Sequence, residues 1–341
     1  MKQARDAFLD GADVPSTLRA ERSGAQSGKP FLTIAIPTFN RADLLAEAIA
    51  SALDQPGAPT FEVIVVDNDS AAASIDVALA ALPRQTPVDL RYFVNASNIG
   101  MFANWNRCMT LARGEWVTIL NDDDVLRPDF LSRMAEVIAR RPEADGLVCT
   151  KELLDRRPAD KREAAPGAGR ALWRSLIDRR FDHDGLSRVT PRTLFWGNEL
   201  GNGLGFLFRR DQGIALGGYQ PEEWPSADYW FYARFAIAHR LYLMRDILAD
   251  VGIGENESMR PEALMGFARK DMDLRQQFAD DGDVPRSWLR HSPAITATFL
   301  AGSSAFWHVD FDPATLMREF GPLPPPASMK TRLARLARLA Y

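Results

Sequence analysis

The chain has 341 residues, 46% of them hydrophobic and 25% charged, a globular composition with length for one large domain or two closely joined ones. Lys and Arg number 41 against 45 Asp and Glu, a formal net charge of -4, so no basic field argues for nucleic acid. The two cysteines, Cys108 and Cys149, lack metal spacing and give no disulfide framework, which suggests a reducing compartment. No run approaches the roughly eighteen apolar residues of a membrane span.

Residues 1–30 mix charges with Gly and Ser and have no hydrophobic run. They read as a flexible arm, with 22–29 as a link, and not as a signal peptide. A strand–helix rhythm then begins. Residues 31–36 form a short β-rich run. Residues 42–53 place Leu44, Leu45, Ala48, Ile49 and Ala52 on one helical face, with Asn40 as a candidate N-cap. Strands are predicted over 61–66, 90–94 and 116–120, and helices over 101–111 and 129–139. Alternation of this kind predicts an α/β fold with a mostly parallel, doubly wound sheet. Ligands of such sheets bind outside the carboxyl ends of the strands.

Polar residues fall at those ends. Pro37-Thr38-Phe39-Asn40-Arg41 follows the first strand and Asp67-Asn68-Asp69-Ser70 the second. Residues 95–100, with Asn98 and Gly100, follow the third. Asp122, Asp123 and Asp124 follow the fourth, immediately after Asn121. Each loop alone is also good turn chemistry; the repetition across four loops points to one crevice. Three adjacent carboxylates repel one another and resist burial, and a hard divalent cation relieves both problems while bridging to phosphates. The other reading of the triplet is a turn leading into a helix N-terminus, where Asp is favoured.

The second half is less regular. Residues 155–170 read as a charged loop, 205–209 and 241–244 as strands, and 228–238 as a helix with an aromatic start. Gly201-Asn202-Gly203-Leu204-Gly205 lacks the glycine spacing of a dinucleotide loop. Trp196, Tyr219, Trp224, Tyr229 and Trp230 gather in this half, either to pack against sugar rings or as an aromatic core. Asp228 stands where its helix begins, a place where Asp is favoured as an N-cap. Expected boundaries are a first half over 31–150, a second half over 151–265, and a helical extension over 266–341.

The stretch Ile34-Ala35-Ile36-Pro37-Thr38-Phe39-Asn40-Arg41, followed by Val65-Val66-Asp67-Asn68, Asn98-Ile99-Gly100 and Leu120-Asn121-Asp122-Asp123-Asp124, resembles family 2 glycosyltransferases in order and spacing. The resemblance covers roughly residues 31–255. It implies the GT-A (nucleotide-diphospho-sugar transferase) fold with a C-terminal helical extension, and an inverting, Mn²⁺- or Mg²⁺-dependent transfer to a glycan hydroxyl. Pro37, Thr38, Asn40, Arg41, Asp67, Asn68, Asn98, Gly100, Asp122 and Asp123 would line the donor site. Asp122, Asp123 and Asp124 would form the DXD-type metal site, although Asn121 stands where many members have the first Asp. Gly217-Gly218-Tyr219 looks like the turn that precedes the family's base. The usual Glu-Asp pair is here Ala227-Asp228, so Asp228 resembles the general base without its neighbour. Residues 255–258 fall where members often close a loop over the donor phosphates.

Residues 329–341 alternate Lys330, Arg332, Arg335 and Arg338 with Leu333, Leu336 and Leu339, a basic amphipathic helix that either meets an anionic membrane surface or docks on its own domain. The expectation is a cytoplasmic enzyme, peripheral at the inner membrane face, that extends a surface polysaccharide on a glycan or lipid-linked acceptor. The competing readings are a sugar nucleotidyltransferase, disfavoured by the absence of a Gly-rich basic first loop, and a non-catalytic nucleotide-sugar or glycan-binding module.

Overall fold

The computed structural model describes residues 5–26, 28–156, 181–254 and 260–325. The expected loop over 155–170 lies outside the described residues from 157 on, as do the donor-side loop over 255–258 and the basic helix over 329–341.

One sheet organises the chain. Its strands are β1 (Ser16–Arg22), β2 (Leu32–Thr38), β3 (Phe61–Asp67), β4 (Asp89–Asn95), β5 (Trp116–Ile119), β6 (Val125–Leu126), β7 (Gly146–Asp155), β8 (Leu186–Val189), β9 (Phe206–Arg209) and β10 (Leu241–Ile253). They are ordered β1-β4-β3-β2-β5-β9-β7-β10-β6, with β8 also paired to β10. The block β4-β3-β2-β5 is parallel, as the strand–helix rhythm predicts. Beyond it the sheet is mixed. β9 runs antiparallel to both β5 and β7, and β10 is parallel to β7 but antiparallel to β6 and β8.

The parallel strands are buried throughout, so their side chains alternate between two cores. Ile34, Ile36, Val63 and Val65 face one core, closed by α1 (Ala42–Leu53), α2 (Ala72–Ala81) and α4 (Phe130–Arg140). Ala35, Ile64 and Val66 face the other, closed by α3 (Met101–Leu111) and the aromatic helix Ala227–Ala238. Helix Pro261–Asp280 adds Leu274 and Phe278 to that second core. Helix α2 is half alanine, without a strong apolar stripe, and it escapes a periodicity reading.

Residues 5–22 correct the expectation of a loose arm. β1 pairs antiparallel with β4 at the sheet edge. Arg107 fixes the approach, its guanidinium donating to the carbonyls of Gly11 and Val14 (both 2.8 Å) and to Ser16 Oγ (2.6 Å). β1 reads Ser-Thr-Leu-Arg-Ala-Glu-Arg, a polar edge strand that carries no hydrophobic run to betray it. The expected boundaries at 150/151 and 265/266 fall inside β7 and inside helix Pro261–Asp280. The two halves share one sheet.

Candidate active site

The first two polar loops are stitched together at the carboxyl edge of the parallel block. Asn40 does not cap α1. It sits in the left-handed region (φ 54°), its amide N–H donates to Ser70 Oγ (2.8 Å), and its Oδ1 accepts from Ala71 N (2.8 Å). Arg41 holds the N-cap position without a side-chain cap. Pro37 and Thr38 lie within the last residues of β2. Asp67 is buried, with Oδ1 accepting from Ser70 N (2.7 Å) and Oδ2 from the Tyr92 hydroxyl (2.7 Å). In this arrangement both of its oxygens shape the loop.

Asn68 carries the third loop. Its Nδ2 donates to Asn98 Oδ1 (2.9 Å) and the Gly100 carbonyl (3.3 Å), and its Oδ1 accepts from Asn95 Nδ2 (3.0 Å) and Ile99 N (3.0 Å). A buried amide with every group used is a rigid support.

The aspartate triplet divides into two kinds. Asp122 and Asp123 face Arg41, whose single Nη1 lies 3.2 Å from Asp122 Oδ1 and 3.2 Å from Asp123 Oδ2. Thr38 Oγ1 donates to the other oxygen of Asp122 (2.8 Å). Burial pushes the Asp122 carboxyl upward, against the Thr38 hydroxyl and the Arg41 charge. Asp124 points elsewhere. Its Oδ1 accepts from Gly252 N (2.9 Å) and its Oδ2 from Asn121 Nδ2 (3.1 Å). Burial, helped by the charge of Asp123, pushes it up to about 7. The three carboxylates expected to form one cluster are therefore a convergent pair and an inward strut, because β10 runs directly beneath the third. Two adjacent carboxylates, here bridged by Arg41, are oxygen donors of the kind a hard divalent ion takes.

Gly252 makes this geometry possible. A Cβ there would lie 1.9 Å from the carbonyl oxygen of Asp123. Gly252→Ala is expected to displace the acidic loop, alter its response to nucleotide and lower Tm through a stability loss on the scale of an overpacked site, about 1–3 kcal/mol. A thermal melt with unchanged Tm and unchanged nucleotide response would contradict this role for Gly252.

Among the described residues, the His, Cys, Asp and Glu side chains whose ligand atoms all lie within 4.8 Å of one another are Asp182, His183 and Asp184. This group sits on the surface, and Arg141 Nη2 already engages Asp182 (2.7 Å) and Asp184 (2.6 Å).

Asp228 lies in the first turn of helix Ala227–Ala238, whose N-cap is Ser226, so it is not the cap. Its Oδ1 accepts from Tyr229 N (2.7 Å). Burial raises its carboxyl to about 6, against the pull of the Tyr229 amide and Lys151. Lys151 is a residue that the sequence reading missed. It stands on β7, and its Nζ donates to the carbonyls of Leu200 and Asn202 (both 2.6 Å). Burial presses it down to about 8, while Cys149, Asp228 and Asp124 favour its charge. It thus electrostatically links the acidic loop to Asp228. The available signal was a lysine ending the apolar run Leu147-Val148-Cys149-Thr150.

The Gly217–Gly218 turn adopts positive φ at both residues. The buried Arg234 holds it by donating to the Gly218 carbonyl (2.6 Å) and pairing with Glu223. Of the five aromatic candidates, Tyr219 and Tyr229 are core residues at 1% exposure, and the Tyr229 hydroxyl donates to the Leu194 carbonyl. Trp230 packs partly buried against the same core. Trp224 is 46% exposed, and Trp196 lines a cavity.

The fold is that of GT-A glycosyltransferases. It superposes on the mannosyltransferase PcManGT from Pyrobaculum calidifontis, solved with GDP-Man and Mn²⁺, with a TM-score of 0.56 at 18% identity, covering 94% of this chain and 83% of that one. Residues 33–194 match the description Glycosyl transferase family 2. An uncharacterised protein of Mycobacterium tuberculosis, MT1568, is 30% identical over 221 residues, 61% of this chain and 63% of that protein. The succinoglycan biosynthesis protein ExoO of Rhizobium meliloti is 37% identical over 126 residues, 37% of this chain and 34% of ExoO. The chain thus spans less than two thirds of the length of either relative. Among the described residues, no helix is long and apolar enough to cross a membrane.

Proposed function

We propose that this protein is an inverting glycosyltransferase that moves a sugar from a nucleotide-diphospho-sugar to a hydroxyl of a glycan acceptor in polysaccharide assembly. The observation that carries the reading is the convergence of Asp122 Oδ1 and Asp123 Oδ2 on one cationic nitrogen, beside loops that a glycosyl transferase family 2 match spans. Asp122 and Asp123 would hold Mn²⁺ or Mg²⁺, and Asp124 would brace their loop. When bound, the ion offsets charge that develops on the leaving diphosphate, worth several kcal/mol.

The chain supplies the rest. Thr38 and Arg41 fix the Asp122 carboxylate, and Arg41 is placed to turn from Asp122 and Asp123 toward a phosphate oxygen. The Asn68 network sets the loop of Asn98 and Gly100 beside the donor. Asp228 would accept the proton of the attacking hydroxyl. Its pKa near 6 leaves it ionised at neutral pH yet more basic than an ordinary carboxylate. Lys151 keeps that carboxylate charged.

Melting the protein with UDP, GDP, dTDP and CDP, each with Mn²⁺, Mg²⁺ or EDTA, tests the reading. One nucleotide should raise Tm only with metal, following RT ln(1 + [L]/Kd). No response to any nucleotide, or a response indifferent to EDTA, would count against a metal-dependent donor site.

A further inference from the structure

A cavity of about 530 Å³ lies outside the acidic loops, between residues 193–199 and the helices Pro261–Asp280 and Ser292–Trp307. Its size falls within the roughly 300–1,000 Å³ of small-ligand pockets. Two of its walls come from helices beyond the family 2 match, which ends at residue 194.

The lining joins aromatic faces to polar groups. Trp196, Phe306 and Trp307 contribute rings, and Asp271, Arg275 and Thr296 contribute polar atoms. Trp196 is held rigidly, with Trp288 at 5.2 Å and His291 at 5.4 Å between ring centroids. Its indole N–H is enclosed and has no acceptor. Arg275 is locked by bonds from Nε to Ser292 Oγ (2.8 Å) and from Nη2 to Thr296 Oγ1 (2.9 Å). Asp271 Oδ1 accepts from Ser226 Oγ (3.0 Å), and Ser226 is the N-cap of the helix that carries Asp228. The cavity wall is therefore fastened to the turn that bears the candidate base.

We propose that this cavity is an acceptor subsite that takes a neutral pyranose unit of the glycan, packed against Trp196 and hydrogen-bonded by the polar groups around Asp271. The proposal rests on the transferase reading for its role, and on the cavity's own chemistry for its ligand. A hydrocarbon tail would match the rings but set apolar groups against the polar lining of Asp271, Arg275 and Thr296, which is costly. A sugar ring offers an apolar C–H face to an aromatic ring and hydroxyls to the polar atoms of the lining. Burial raises Asp271 to about 6, against the Arg275 charge and the Ser226 hydroxyl.

Saturation-transfer NMR on the full chain provides the test, with methyl glycosides of glucose, galactose, mannose and N-acetylglucosamine, and with farnesyl phosphate as the lipid probe. Two variants accompany the wild type. Trp196→Leu removes the aromatic face, and Gly302→Phe fills the cavity from a position where a Cβ would meet nothing within 4 Å. At least one glycoside should receive saturation in its ring protons, and both variants should weaken that signal about tenfold, the scale of a lost aromatic anchor. Wild-type circular dichroism and nucleotide-induced stabilisation in the variants certify their fold. Absence of signal from every glycoside would overturn the proposal, as would variants that leave the signal unchanged. So would farnesyl phosphate binding that both variants abolish while no glycoside binds. If glycosides bind as expected but no nucleotide stabilises the wild type, the transferase reading falls and the saccharide site stands.

Discussion

Replacing Asp228 with Asn is expected to lower kcat by about 10²–10⁴-fold, the share supplied by a positioned base, while nucleotide binding stays at the wild-type level. Asn preserves the side-chain shape and the acceptor for Tyr229 N, so the change isolates the proton-accepting role. The pH profile makes the assignment sharper. Burial holds the Asp228 carboxyl at about 6, above its ordinary value of 3.8. A base acts only when ionised. Log kcat should therefore rise with unit slope below about pH 6 and level off above it, and the variant should lose that limb. Steady-state kinetics from pH 4.5 to 8.5 would decide. An Asn variant with wild-type turnover and an unchanged acid limb removes Asp228 from the chemistry.

Asp122→Ala and Asp123→Ala should each abolish metal-dependent nucleotide stabilisation and cost several kcal/mol of activation free energy, about 10²-fold or more in kcat/KM. Asp124→Asn should behave differently. Its oxygens serve Gly252 N and Asn121 Nδ2, so the variant should lower Tm yet retain the response to Mn²⁺. The paired measurement is nucleotide-induced Tm shift against Mn²⁺ concentration for all three variants. If Asp124→Asn loses the metal response and Asp123→Ala keeps it, the division of the triplet is reversed.

Much of the donor half is legible in the amino-acid order. β2, β3, β4 and β5 are mostly apolar runs, and both faces of such strands are buried, so run length and loop polarity locate the sheet edge. The same rule placed Asp122, Asp67 and Asn98 at strand ends before any coordinates. β1 was illegible because an edge strand needs hydrogen bonds from one neighbour only and no apolar face. Helix α2 was illegible because alanines pack without a periodic stripe.

Local periodicity and the spacing of Pro37-Thr38-Phe39-Asn40-Arg41, Asp67-Asn68 and Asp122-Asp123-Asp124 suffice to specify an α/β sheet with acidic and amide-rich loops at one edge. What each polar group does depends on contacts between segments far apart in the chain. Arg41 meets Asp122 and Asp123 across more than eighty residues of chain, Gly252 turns Asp124 inward from β10, and Lys151 links that loop to Asp228. The cavity around Trp196 and Asp271 exists only because helices from the end of the chain close over residues 193–199. Side-chain direction and pKa depend on neighbours brought together by folding, and no local pattern encodes those neighbours.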